Sequence, residues 1–218
     1  MSGGNLLSWV ESGGIAMYPL LVCSIVSAAV IVERLWAIAG AKRGSARLHG
    51  LVVSALDEGR LTDAAAISRL DSSPLGALYE SVLSHPSEPV RERIAERRHR
   101  ERTRDLKRHV WILGTIGSLA PFIGLFGTVV GIIRAFDNMA ATGSGGFAVV
   151  AAGISEALIA TACGLVVGVL SIFAYNALVA RTGSLSAMWR DWIEDVLIRL
   201  ADETRPRTGG VTHVRQSR

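Results

Sequence analysis

Two long apolar stretches, 110–136 and 148–180, constrain this chain more than any other feature. Each exceeds the roughly 20 residues an α-helix needs to cross about 30 Å of hydrocarbon. Their small residues are patterned. Gly114, Gly117, Pro121, Gly124, Thr128, Gly131 and Ala135 alternate steps of three and four, which puts them on one helical face. Ala157, Thr161, Gly164, Gly168 and Ser171 repeat the device in the second stretch. Apolar helices in lipid gain nothing from expelling water, so they associate by close backbone approach, which small side chains permit. Gly127 and Gly131, and Gly164 and Gly168, are two small-x-x-x-small pairs. The pattern predicts two tightly packed membrane helices, each with one threonine on its small face.

Arg134, Asp137 and Glu156 are the charged residues between 110 and 180. Charge in hydrocarbon costs on the order of 2–3 kcal/mol on insertion scales, so it faces a protein or water-filled interior and marks function by default. Glu156 is the deepest and becomes the candidate; its bland alternative is a bond to a neighbouring helix. Thr128 and Thr161 alone carry little, because threonine in a membrane helix often bonds back to its own carbonyl ladder. Glu156 and Thr161 are five apart, about 140° around a helix, so they do not share one stripe.

Half of the 218 residues are hydrophobic, which favours a small integral membrane protein. None of the 23 Lys and Arg residues lies in 1–33 or 136–180, so the net charge of +4 reads as a topology signal and not as nucleic-acid binding. Cys23 and Cys163 lie within apolar segments and read as small hydrophobes. No metal-ligand spacing, cofactor motif or catalytic constellation appears; the glycines at 143–146 lack the Lys-Ser/Thr of a phosphate loop.

In chain order, residues 1–15 are read as an external N-terminus and 16–39 as a first span. It is expected to be retained, because it lacks the charged front and short apolar core of a signal peptide. Glu33, Arg34 and Trp36 mark its interface, and Lys42, Arg43 and Arg47 place the following segment in the cytoplasm. That segment, 40–109, is expected to be helical. One helix over 46–56 stops at Gly59, a second is capped by Thr62 or Asp63 and runs to Leu70, and a third starts at Ser73-Pro74 and runs to about Leu83. A fourth begins near Ser87. Its charge run, Arg91 to Arg108, suggests RNA contact or a solvated helix, and the acids at three- and four-residue spacing favour the second. With no breaker before Val110, one helix is expected to continue through the second span, 110–136. Residues 137–147 form an external turn, where Arg134 snorkels or pairs with Asp137. The third span, 148–180, returns inward. It continues as an amphipathic helix over 181–203, whose apolar face from Leu185 to Leu200 has three possible partners: the cytoplasmic helices, a second subunit or the membrane surface. Residues 204–218 read as a disordered tail. The expected fold is therefore all-α, with three spans, N-terminus out and C-terminus in.

These residues resemble the MotA/TolQ/ExbB proton-channel family, in its ExbB/TolQ branch. The resemblance is carried by Tyr18-Pro-Leu-Leu21, Cys23-Ser24, Glu33-Arg-Leu-Trp36, the run from Ala120 to Phe136, the run from Val150 to Leu165, and Tyr175-Asn176. The departure is a short region ahead of the first span. The resemblance implies a bacterial inner-membrane protein that forms a pentamer around single-span, aspartate-bearing helices of an ExbD/TolR-like partner. Protons descend through that assembly, and the partner passes force to a TonB/TolA-like or other envelope protein. It also maps the family's pore-facing threonines onto Thr128 and Thr161 and its third-span glutamate onto Glu156. The work powered (uptake, envelope constriction or motility) stays open. The alternatives are a passive scaffold and an ion channel acting without a partner. A proton falling through 100 mV releases about 2.3 kcal/mol, so several are needed for appreciable work.

Overall fold

The structure is a computed structural model that describes residues 14–142 and 147–204. Most of the expected N-terminal segment, residues 143–146 of the expected external turn and nearly all of the tail lie outside the described residues; the rest of that turn, 137–142 and 147, is helical instead. The described chain folds into α1 (Met17–Asp57), α2 (Leu61–Leu70), α3 (Gly76–Leu83), α4 (Glu88–Leu106), α5 (Val110–Thr142) and α6 (Phe147–Thr204), with no strand among them. It is all-α. Three of these helices, α1, α5 and α6, are long and apolar enough to cross a membrane.

The chain divides into two compact units. The first holds the described residues up to 39 together with 104–183; the second holds 40–103 and the described residues from 184 on.

In the first unit, Ala16, Met17, Leu20, Ile116, Ala120 and Ala160 are buried together, with Cys23, Ile112, Ile123, Cys163 and Val167 packed around them. Both cysteines are free and half-buried, used as small hydrophobes. Ser27 and Ser171 hydroxyls, both buried, bond at 2.9 Å and tie α1 to α6.

In the second unit the buried face of α6 is Leu185, Trp189, Ile193, Val196 and Leu200, so the amphipathic face predicted at 185–200 packs within its own chain. Leu48, Val52, Leu75, Leu78, Tyr79 and Val82 are equally buried. His99 Nε2 lies 2.9 Å from the Ser186 carbonyl oxygen, and Thr103 Oγ1 lies 2.9 Å from Ser186 Oγ, which fixes α4 against α6. The charge run of α4 is largely solvated and carries Arg98–Glu101 and Arg100–Glu96 ion pairs one turn apart.

The helix boundaries correct several expectations. No break separates the first span from the helix expected at 46–56; α1 runs unbroken, because nothing from Gly40 to Asp57 forces a turn, and ends beside Gly59 at φ +70°. Neither Thr62, Asp63 nor Ser73 supplies a side-chain cap. Arg60 precedes α2 and bonds Asp63 and Glu58 instead, while Ser73 donates its amide to Asp71 in a local turn at 2.7 Å. The expected continuous helix from the charge run into the second span is broken at 107–109. His109 adopts φ +65°, and Lys107 and Arg108 close tight i→i−3 bonds onto Arg104 and Asp105. Arg34, buried in this unit, donates to the Asp105 carbonyl at 3.3 Å and bonds Glu33, whose carboxylate lies 3.8 Å from His109 Nδ1. The Asp105 carbonyl at the end of α4 thus accepts from both the Arg108 amide and the Arg34 guanidinium.

Candidate functional site

The small faces of α5 and α6 meet along their length. A Cβ built on Gly124 would lie 2.8 Å from the Ala160 carbonyl oxygen; one on Gly164 would lie 2.6 Å from the Ala120 oxygen and 3.0 Å from Gly124 Cα. Gly131 faces Ala157, Gly153 faces Ala135, Gly168 faces Pro121, Gly117 faces Ile172 and Gly114 faces Tyr175. The partner number falls as the residue number rises, as antiparallel helices require. Pro121 sits inside α5 without ending it. Gly127 serves a different neighbour as well, because its Cβ would collide with Ala16, at the start of α1, at 2.6 Å.

This close approach brings the two threonines together. Thr128 Oγ1 and Thr161 Oγ1 are hydrogen-bonded, both half-buried. Thr161 Oγ1 is also 3.1 Å from the Gly124 carbonyl oxygen, and Thr128 Oγ1 is 3.3 Å from both the Gly124 and Ala157 oxygens. Each hydroxyl has one proton to donate and two lone pairs. One threonine must therefore donate to the other, and the second donates to a backbone carbonyl. Two directions of this short chain are compatible with the same heavy-atom positions.

Glu156 does not join them. It lines a separate cavity of about 250 Å³ with Gly14, Ala16, Val130, Gly131, Arg134 and Asn138, among others. Arg134 shares that cavity and forms no ion pair with Asp137 among the described residues. Glu33 and Arg34 act at the α4–α5 break, and Trp36 is 79% exposed. No group of three or more His, Cys, Asp or Glu that could hold a metal ion occurs among the described residues. Sequence reasoning did not pick out Gly153, Asn138 or the start of α1. Gly153 and Asn138 were findable: Gly153 extends the second stripe by one turn, and Asn138 lies one turn after Arg134 on the same face.

Residues 70–191, which contain the paired threonines, the glycine faces and Glu156, match the model of the MotA/TolQ/ExbB proton channel family. The chain belongs to this family. It is 33% identical over 195 residues to the biopolymer transport protein ExbB of Pseudomonas putida, an alignment covering 84% of this chain and 58% of that one. The ExbB of Neisseria meningitidis serogroup A is 32% identical over 200 residues, covering 84% and 90%. The Tol-Pal system protein TolQ of Pseudomonas aeruginosa is 39% identical over 118 residues, covering 54% and 48%. The chain thus spans only about half the length of some of the relatives it matches. Membership in the ExbB/TolQ branch, with three helices of sufficient length and apolarity, makes this a membrane protein.

Proposed function

We propose that this chain is the proton-conducting stator subunit of an inner-membrane energy transducer. Five copies surround the single-span helices of an ExbD/TolR-like partner, and protons pass from outside to inside along Thr128, Thr161 and Glu156. The partner's membrane aspartate takes the proton next, and its movement does work on the envelope through a TonB/TolA-like or equivalent protein. The N-terminus lies outside and the C-terminus inside, since every basic residue but Arg134 falls on the other side of the spans from the 137–147 turn. The division of the chain at 39/40 and 183/184 supports the same boundary between membrane and cytoplasmic parts.

The observation that carries this reading is the threonine pair. Two hydroxyls face each other between helices too close for larger side chains, and they can pass a proton in either direction by reorienting without adding fixed charge. A passive scaffold needs only the close approach, which Val would fill.

The test is proton flux in vesicles containing the complex with its co-purifying chains. The double variant Thr128→Val with Thr161→Val is expected to lose at least tenfold in flux, and the Ser pair to keep it. Native mass spectrometry checks assembly. Unchanged flux in the assembled Val pair would return the chain to the scaffold reading.

A further inference from the structure

We propose that Arg134 sets the ion selectivity of this pathway: from the wall of the cavity it shares with Glu156, it admits protons and rejects metal cations. The proposal rests on the proton-pathway reading of Glu156 given above.

The cavity holds one carboxylate, one guanidinium and one amide, those of Glu156, Arg134 and Asn138, among small or apolar residues. Neither has an ion pair or hydrogen bond to another described residue, and they do not pair with each other. Two opposite charges that share a cavity without touching leave the space between them to whatever enters. Gly131, Gly153 and Ala157 keep the walls smooth, so the polar side chains are Arg134, Glu156 and Asn138. The backbone carbonyls of α5 and α6 here are engaged in their own helices.

For a metal cation this is a poor site. It requires several oxygen ligands to replace its water, and here the side chains supply one carboxylate and one amide. A fixed positive charge stands on the wall as well. Two unit charges about 6 Å apart at an effective dielectric of about 20 repel strongly enough to lower occupancy roughly a hundredfold. Arginine keeps its charge at any physiological pH, so the barrier is permanent.

A proton avoids the first penalty and outweighs the second, because it binds the carboxylate through a covalent O–H bond that no metal ion forms. Hydronium gives its proton to a Glu156 carboxylate oxygen; an O–H bond forms there, the O–H bond of hydronium breaks, and neutral water is left. Glu156 is then an uncharged acid, held by that covalent bond although the guanidinium favours the carboxylate. On release the O–H bond breaks, the next acceptor base takes the proton, and the carboxylate returns to its charged state. The repulsion from Arg134 acts on hydronium and on metal cations alike, and the strength of the O–H bond lets the proton bind Glu156 where sodium and potassium do not.

The experiment uses the complex extracted from its own membranes with its co-purifying chains and placed in vesicles. A pH dye and sodium- and potassium-sensitive dyes report flux under an imposed membrane potential. The wild type is expected to pass protons and neither metal ion. Arg134→Gln should keep proton flux within about threefold and raise sodium or potassium flux at least tenfold, and Arg134→Lys should restore exclusion. Arg134→Met, which retains the aliphatic stem, serves where the Gln variant fails to assemble. Metal-ion flux that stays at background in the assembled Gln or Met variant overturns the proposal. Loss of proton flux in those variants also overturns it, because Arg134 would then act on the proton itself. Sodium flux through the wild type overturns it without any variant. A wild type that carries no protons rejects the underlying pathway reading instead, so the two failures are distinguishable.

Discussion

Individual glycines in this chain differ sharply in what they tolerate. Gly124 and Gly164 are held by backbone on the opposite helix, where a methyl group would sit 2.6 to 3.2 Å from fixed atoms. Gly50 lies in a helix with nothing within 4 Å of its would-be Cβ. Gly164→Ala should therefore destabilise the helix pair by about 1–3 kcal/mol, the usual cost of overpacking. Gly50→Ala should stabilise by about 0.5–1 kcal/mol through helix preference alone. Thermal unfolding of the two variants in detergent, read side by side, checks the contrast. His49 makes a different demand. Its ring stacks on Trp192 at 4.8 Å, its Nδ1 lies 3.0 Å from the Tyr79 hydroxyl, and its Nε2 lies 3.8 Å from Asp195, which Arg199 in turn binds. Burial holds the imidazole pKa below its usual value, Asp195 opposes this and Arg199 adds to it; the same burial raises the Tyr79 pKa. Histidine is thus favoured neutral in the fold and binds protons more readily once unfolded. Its contribution to stability is complete above about pH 6.5 and is lost as pH falls through the lower folded value. The thermal midpoint of the wild type should drop more between pH 7.5 and 5.5 than that of His49→Phe, which keeps the stack and removes the titration.

Among the elements, the break at 107–109 was the least legible in sequence. Lys107, Arg108 and His109 include no Gly or Pro, and local propensity favours continuing the helix. The feature that ends it is tertiary: Arg34, more than seventy positions earlier, binds the Asp105 carbonyl at the end of α4. No local rule reads such a partner. The left-handed conformation of His109 costs about 1–2 kcal/mol, which glycine avoids. His109→Gly should therefore raise the melting temperature by a few degrees, and His109→Ile should lower it. The half-exposed contact to Glu33 is too weak to reverse that order. In an unbroken helix the order would be reversed, so the pair of melts tests the break itself. By contrast, the small-residue spacing of α5 and α6 carried the helices, their facing sides and their partners, because close packing in lipid writes itself into residue size. The short helices α2 and α3 were legible in extent, whereas their caps were not. Arg60 donates to Asp63 and Glu58, and Asp71 accepts the Ser73 amide, so neither helix carries the cap expected of Thr62, Asp63 or Ser73.

For the molecule as a whole, the position of Glu156 separates what sequence can say from what it cannot. Its five-residue distance from Thr161 already placed the two on different faces. That Arg134 would share its cavity depends on how α5 and α6 pair, and spacing within either helix alone does not specify it. The two units are also interleaved along the chain. The second unit takes residues 40–103 from before the last two spans and residues from 184 onward from after them. Its core residues Leu48, Val52 and Tyr79 are therefore made well before Trp189 and Val196, which complete the same unit. Some 80 residues, 104–183, separate the two parts. At a synthesis rate of about 5–20 residues per second, the ribosome needs roughly 4–16 s to supply the missing helix. During that interval the residues of the early segment that pack against the last helix have no partner from it. The core of the second unit therefore closes only at the end of translation, when the last helix arrives.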